Sequence, residues 1–87
     1  MNVIYSKKFQ KSYQKLPSKL QEQFKRRRNL FLENQFDPIL NNHPLHEPYM
    51  GCRSINVTGD YRAIFYHENP DIIRFIAVGT HHDLFGT

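Results

Sequence analysis

The apolar residues of this chain change their spacing part-way along it, and that change restricts the fold more than any other feature. Near the N-terminus they recur at helical intervals. Phe9, Tyr13 and Leu16 stand at i, i+4 and i+7, while Leu20, Phe24 and Phe31 share one face of a following segment, with Leu30 beside it. From residue 54 onward the interval becomes two. Ser54-Ile55-Asn56-Val57 alternates polar and apolar, as a strand with one buried face does. A chain with a period of about 3.6 first and about 2 afterwards must build helices, then a sheet, and bury the two apolar faces together.

Punctuating residues set the boundaries. Val3-Ile4-Tyr5 is a short β-prone run, Ser6 offers an N-cap to the first helix, and Pro17 ends it. Ser18 with Gln21 has capping-box spacing and predicts the start of a second helix, whose pattern fades near Gln35 before Pro38. Residues 38–50 carry Pro38, Pro44, Pro48 and the pair Asn41-Asn42, and read as an irregular connector. Gly59-Asp60 and Glu68-Asn69-Pro70-Asp71 are turns. They bound the strands Tyr61–Tyr66 and Ile72–Val78, so the C-terminal half is a β-meander. Residues 79–87 are a polar tail with one aromatic. The expected order is β-α-α-β-β-β, an α+β domain with a helical hairpin packed on one face of a small antiparallel sheet.

At 87 residues the chain is expected to form a single domain over 1–87 with one modest core. Hydrophobic residues at 39% and charged ones at 23% exclude both a disordered chain and a membrane protein. A lone cysteine, Cys52, allows no intrachain disulfide and no CxxC metal site, which fits a reducing, cytoplasmic setting. No run approaches the roughly 20 apolar residues of a membrane span. The net charge of +4 and pI near 9.4 favour a polyanionic partner, nucleic acid or ribosome, although an acidic protein would satisfy the same charge.

If the helices cover one sheet face, strand parity assigns the other. Ile55, Val57, Ala63, Phe65, Ile73, Phe75 and Ala77 are expected in the core, leaving Ser54, Asn56, Arg62, Tyr66 and Arg74 on an open face. Two arginines and a tyrosine there can hold phosphate and stack a base, or simply form a solvated surface. Lys25-Arg26-Arg27-Arg28 on the second helix is either a solvated run or an RNA anchor. His43 and His46 have H-x-x-H spacing, but a proline-dense connector with no third ligand nearby argues against zinc. His67 reads as exposed, and His82 points away from its neighbour if the tail is extended.

The string His43-Pro44-Leu45, then Gly51-Cys52-Arg53, then Asp60-Tyr61-Arg62, then Gly79-Thr80-His81-His82-Asp83-Leu84-Phe85-Gly86 resembles the RelE/ParE superfamily of type II toxins. It looks closest to the YafQ-like branch, with its HPL connector and GTH-x-x-LF ending. The resemblance covers the whole chain and implies a ribosome-dependent endoribonuclease that cuts mRNA without a metal or other cofactor and is restrained by a cognate antitoxin. By that likeness His81 is the C-terminal catalytic histidine, His43 a second acid/base group, Asp60 a candidate general base, and Arg62 the arginine at the scissile phosphate. Phe85 holds a base, Arg53 and Asn56 contact RNA, and Lys25, Arg26, Arg27 and Arg28 anchor ribosomal RNA. One departure stands out: Asn56 occupies the position of a further histidine in the branch, and an amide cannot transfer protons by titration. The same superfamily includes ParE-like gyrase inhibitors, and an inactive antitoxin-binding module is a third reading.

Overall fold

The computed structural model describes residues 1–86. Strand β1 (Asn2–Tyr5) leads into helices α1 (Lys7–Gln14) and α2 (Ser18–Glu33); a 3₁₀ turn at Pro38–Leu40 and strand β2 (His43–Pro44) follow. The meander β3 (Arg53–Asn56), β4 (Tyr61–Asn69) and β5 (Ile72–Thr80) comes next, and helix α3 (His81–Phe85) closes the chain. This is the expected α+β order, extended by a short strand and a short helix.

Local chemistry explains the helical hairpin. Ser6 is the N-cap of α1, and its hydroxyl accepts the Phe9 N–H at 3.0 Å. The expected cap at Ser18 is not there. Pro17 occupies the N-cap of α2 and makes no side-chain bond. Gln21 instead turns back, its Nε2 donating to the carbonyls of Tyr13 and Leu16 at 3.0 and 3.2 Å. The Tyr13 carbonyl, which also accepts the Leu16 N–H at 3.0 Å, is in the last turn of α1 and the Leu16 carbonyl lies in the turn just after it, so Gln21 closes the previous helix rather than opening its own.

The sheet has five strands in the order β1-β5-β4-β3-β2. Four are antiparallel neighbours, but β1 runs parallel to β5, with Asn2 opposite Ile72 and Tyr5 opposite Phe75, so the sheet is mixed. The helices cover one face. Phe9, Phe24 and Phe31 interlock there with Ile55, Val57, Ala63, Phe65, Ile73, Phe75 and Val78. Phe31 meets Phe65 edge-on at 4.9 Å, and Phe24 meets Phe75 at 5.3 Å, the geometry that aromatic quadrupoles favour.

The opposite face departs from simple alternation. The β4–β5 register shifts so that Ile64 pairs with Ala77 while Phe65 pairs with Phe75, leaving Ile76 as a bulge. Beyond the bulge the parity of β5 inverts. Val78 joins the helical core, and Ala77, expected there, turns to the far face. That face is not open either. Leu45, Ile64 and Ala77 form a second buried cluster against Tyr49, Cys52, Ile76, Leu84 and Phe85. Ser54, expected on an exposed surface, is fully buried beneath this cover, and its hydroxyl has no hydrogen-bond partner among the described residues. No helix among the described residues is long and apolar enough to cross a membrane.

Candidate active site

The second cluster exists because the chain's two irregular segments lie across the sheet. The connector reaches it through β2, where His43 pairs with Ser54. Two residues, one of them a proline, suffice for an edge strand, which needs donors on one side only. The tail reaches it through α3. Thr80 and Asp83 form a capping box: the Thr80 hydroxyl accepts the Asp83 N–H at 3.0 Å, and the Asp83 carboxylate accepts the Thr80 N–H at 3.1 Å. Those bonds to Thr80, backbone first, hold the Asp83 carboxyl below its ordinary pKa. Gly79 makes the fold-back possible, since a Cβ at that position would lie 3.1 Å from the Asp83 Cβ. Gly86 ends the helix in the left-handed region, at φ 72°, its N–H donating to the His82 carbonyl at 2.8 Å.

Between connector and tail lies a cleft of about 420 Å³ lined by Asn41, His43, Pro44, Leu45, His46, Glu47, Arg62, His81 and Phe85. His81 and Arg62, distant in sequence, therefore share one cavity wall with His43 and Phe85. Register explains the arginine. Arg62 stands opposite Asn56 on β3 and Gly79 on β5, on the face away from the helices. Its Nη1 donates to Asn56 Oδ1 at 3.2 Å and to the Gly59 carbonyl at 3.3 Å. One end of the guanidinium is thereby fixed, while Nε and Nη2 keep donors for a ligand. Asn56 touches the cleft through this bond.

His43 is oriented by its own segment. Its Nδ1 lies 2.7 Å from the Asn41 carbonyl. A carbonyl oxygen can only accept, so Nδ1 carries the hydrogen, and the lone pair of the neutral ring sits on Nε2. Asn41 can present that carbonyl because it takes a left-handed conformation, φ 46°, at the end of the 3₁₀ turn. His81 is the first residue of α3. Its N–H donates to the Asp60 carbonyl at 3.2 Å, and its ring lies 4.7 Å from that of Phe85, one helical turn on.

Other expected residues are placed elsewhere. Asp60 is exposed and does not line the cleft; it ties the β3–β4 turn to α3 through its backbone. Arg53 pairs with Phe65 and so belongs to the helical side; it donates to Asn42 Oδ1 at 2.7 Å and lies 5.6 Å from the centre of the Phe36 ring. The basic run is spread around α2. Lys25 pairs with Glu22 at 3.3 Å, Arg26 donates to Gln23, Arg27 to the Ile39 carbonyl, and Arg28 to the Tyr5 hydroxyl at 3.1 Å. Tyr66, Glu68 and Arg74 form a polar group near the β4–β5 turn, with an Arg74–Glu68 ion pair. No group of three or more His, Cys, Asp or Glu side chains among the described residues is placed to hold a metal ion. Tyr49, which sequence reasoning passed over, packs edge-on against Phe85 at 5.6 Å.

A smaller, mostly apolar hollow of about 240 Å³ lies among Tyr5, Phe9, Tyr13, Phe24, Lys25 and Arg28 on the helical side. It contains no pair of groups suited to proton transfer.

Comparison with known proteins agrees with this architecture. The backbone is similar to YafQ from E. coli strain BL21(DE3), at 25% identity and a TM-score of 0.82, covering 98% of each chain. It is also similar to a chain of the E. coli DinJ-YafQ toxin-antitoxin complex, at 25% identity and 0.79, covering 98% of this chain and 97% of that one. A YoeB/ParE toxin from Agrobacterium tumefaciens, 15% identical over 93% and 99% of the two chains with a TM-score of 0.76, shares the fold. No curated protein matches the sequence. Residues 1–86 match the family described as the bacterial toxin of the type II toxin-antitoxin system, YafQ, and the chain belongs to that family of toxins.

Proposed function

We propose that this toxin is an endoribonuclease that cuts mRNA on the ribosome by attack of a ribose 2′-hydroxyl on the adjacent phosphate. The observation that carries the reading is the cleft itself, which brings the imidazoles of His43, His46 and His81, a guanidinium and an aromatic ring to one cavity. A protein that only blocks a partner has no need of that set.

Each group has a part that its geometry suits. His43, with its proton held at Nδ1 by Asn41, offers Nε2 to take the proton from the 2′-oxygen. The O2′–P bond forms as the P–O5′ bond breaks, and His81 in its charged form gives the leaving 5′-oxygen a proton. The products are a 2′,3′-cyclic phosphate and a 5′-hydroxyl, with no cofactor required by the chemistry. Arg62, fixed by Asn56 and Gly59, faces the charge that gathers on the phosphorane. Phe85 offers a face for a base. Asp60 acts through its backbone in this scheme, which leaves His43 as the base. Arg53, on the helical face and already bonded to Asn42, has no part in this scheme.

The ribosome supplies orientation of the mRNA, and exposed Lys25 and Arg26 provide contacts to its RNA phosphates. The DinJ-YafQ complex supports an antitoxin as the restraining partner of this chain too. The test is translation-dependent cleavage of a defined mRNA, with 5′-hydroxyl ends mapped, by the wild type and by His81→Ala. Cleavage that vanishes in the variant is expected. Equal cleavage by both removes His81 from the mechanism, and growth arrest with intact mRNA and damaged DNA replaces the nuclease with a gyrase-directed inhibitor.

A further inference from the structure

Helix α3 carries two of the cleft's working side chains on only five residues. Helices shorter than roughly 12–15 residues do not hold their shape in water unaided, so its position must come from tethers. The capping box secures its first turn. Its last turn leaves carbonyls without helical partners, and one of them, that of Leu84, accepts a hydrogen bond from the Tyr49 hydroxyl at 3.1 Å.

Tyr49 is half-buried and comes from the connector, 35 residues away from Leu84. The connector holds it firmly. Its N–H donates to the His46 carbonyl at 2.9 Å, its carbonyl accepts from Cys52 at 3.0 Å, and Leu45 donates to the Cys52 carbonyl at 3.0 Å to close the loop. The ring then works together with the hydroxyl. Tyr49 stands edge-on to Phe85, 87° between planes and 5.6 Å between centres, and Phe85 in turn lies 4.7 Å from His81. Three rings thus run in series from the connector, which bears His43, to the helix, which bears His81.

We infer that Tyr49 is the positioning residue that fixes α3 against the connector and so sets the separation between His43 and His81. This rests on the proposed nuclease reading for its consequence, though the tether itself does not. The contribution of such a hydrogen bond is modest, but it acts on a proton donor whose placement matters within a fraction of an ångström. A ring that merely filled the core would change stability and leave the alignment of His81 untouched.

The experiment uses Tyr49→Phe, which keeps the ring and removes only the donor, with Tyr49→Ala removing both. Cleavage of mRNA on programmed ribosomes is measured as kcat and KM for the wild type, both variants and His81→Ala. Alongside, NMR follows the His81 imidazole protons, shifted by the nearby Phe85 ring, with His82 as the exposed internal reference. Tyr49→Phe is expected to lower kcat roughly three- to tenfold with KM for the ribosome complex unchanged. The His81 resonances should move toward those of His82, and Tyr49→Ala should exceed Tyr49→Phe in both respects. A His81 resonance that stays in place in Tyr49→Phe overturns the inference, as does a kcat equal to the wild type. Failure of the nuclease reading looks different: His81→Ala would then cleave as the wild type does, whatever the resonances report.

Discussion

Replacing Asn56 and Arg62 singly and together distinguishes a residue that meets RNA from one that acts through its neighbour. Arg62 Nη1 is held by two acceptors, Asn56 Oδ1 at 3.2 Å and the Gly59 carbonyl at 3.3 Å. Loss of a preorganised donor aimed at developing charge lowers kcat by about 10²–10³, or about 2.7–4 kcal/mol, and that is the expected effect of Arg62→Ala. Arg62→Lys should recover only part of it, because an ammonium lacks the flat fork that meets two phosphate oxygens at once. In Asn56→Ala the guanidinium keeps Gly59 and loses one neutral acceptor, with a net value of about 1 kcal/mol, so roughly a fivefold fall is expected. The informative variant is the double one. If Asn56 works only by holding Arg62, Asn56→Ala adds nothing once the arginine is gone, and the double variant cleaves at the rate of Arg62→Ala alone. The assay is single-turnover cleavage of mRNA on stalled ribosomes, with thermal unfolding as the control for structure. A double variant about fivefold slower than Arg62→Ala refutes the orienting role and gives Asn56 a contact of its own. Arg62→Ala within about threefold of the wild type refutes the phosphate role altogether.

Further expectations are as direct. Asp83 is held below its ordinary pKa, so its capping bond stabilises the native state above the unfolded aspartate value of about 3.9 and is lost as pH falls through the lower folded value. The stability difference between wild type and Asp83→Asn, measured by denaturant unfolding, should therefore be constant near neutrality and shrink below pH ~4. Ser6→Ala should cost about 1 kcal/mol for loss of the α1 cap, whereas Ser18→Ala, at a position that makes no capping bond, should leave unfolding nearly unchanged. Lys25→Gln with Arg26→Gln should weaken ribosome binding and reduce its salt dependence by roughly one unit of slope per charge, without altering the cleft. Burial raises the Cys52 thiol above its usual pKa, so a thiol reagent should label it slowly at neutral pH in the native state and rapidly after unfolding.

Much of the scaffold is legible in residue spacing because the core is one interface between a helical stripe and a strand stripe. Phe9, Phe24 and Phe31 on one side and Ile55, Ala63, Phe65, Ile73 and Phe75 on the other obey their periods and meet as expected. What escapes is everything set by tertiary choice. A strand of two residues containing Pro44 has no period to detect, and it forms because β3 offers an edge. The bulge at Ile76 shifts later parity by one, which alternation alone cannot foresee, and so Ala77 and Val78 exchange faces. Gln21 has capping-box spacing to Ser18, yet the carbonyls of the preceding helix compete for it and win. The tail carried a readable signal that spacing analysis passed over: Thr80-x-x-Asp83 is a helix start, and it turns a polar ending into the element that bears His81 and Phe85. Of the candidate residues, His43, Arg62, His81 and Phe85 meet in one cleft, whereas Arg53 goes to the other face for a reason of register that no single strand reveals.

The parallel pairing of β1 with β5 also governs when the protein can exist. β5 lies between β1 and β4, and the Ser6 hydroxyl donates to the Ile76 carbonyl across 70 residues of chain. The first strand to be synthesised must wait for the last before it gains a neighbour, and α1 lacks the wall it packs on until then. Such long-range closure is slow. A nascent chain whose β5 has not yet emerged is thus an unfinished sheet with no cleft.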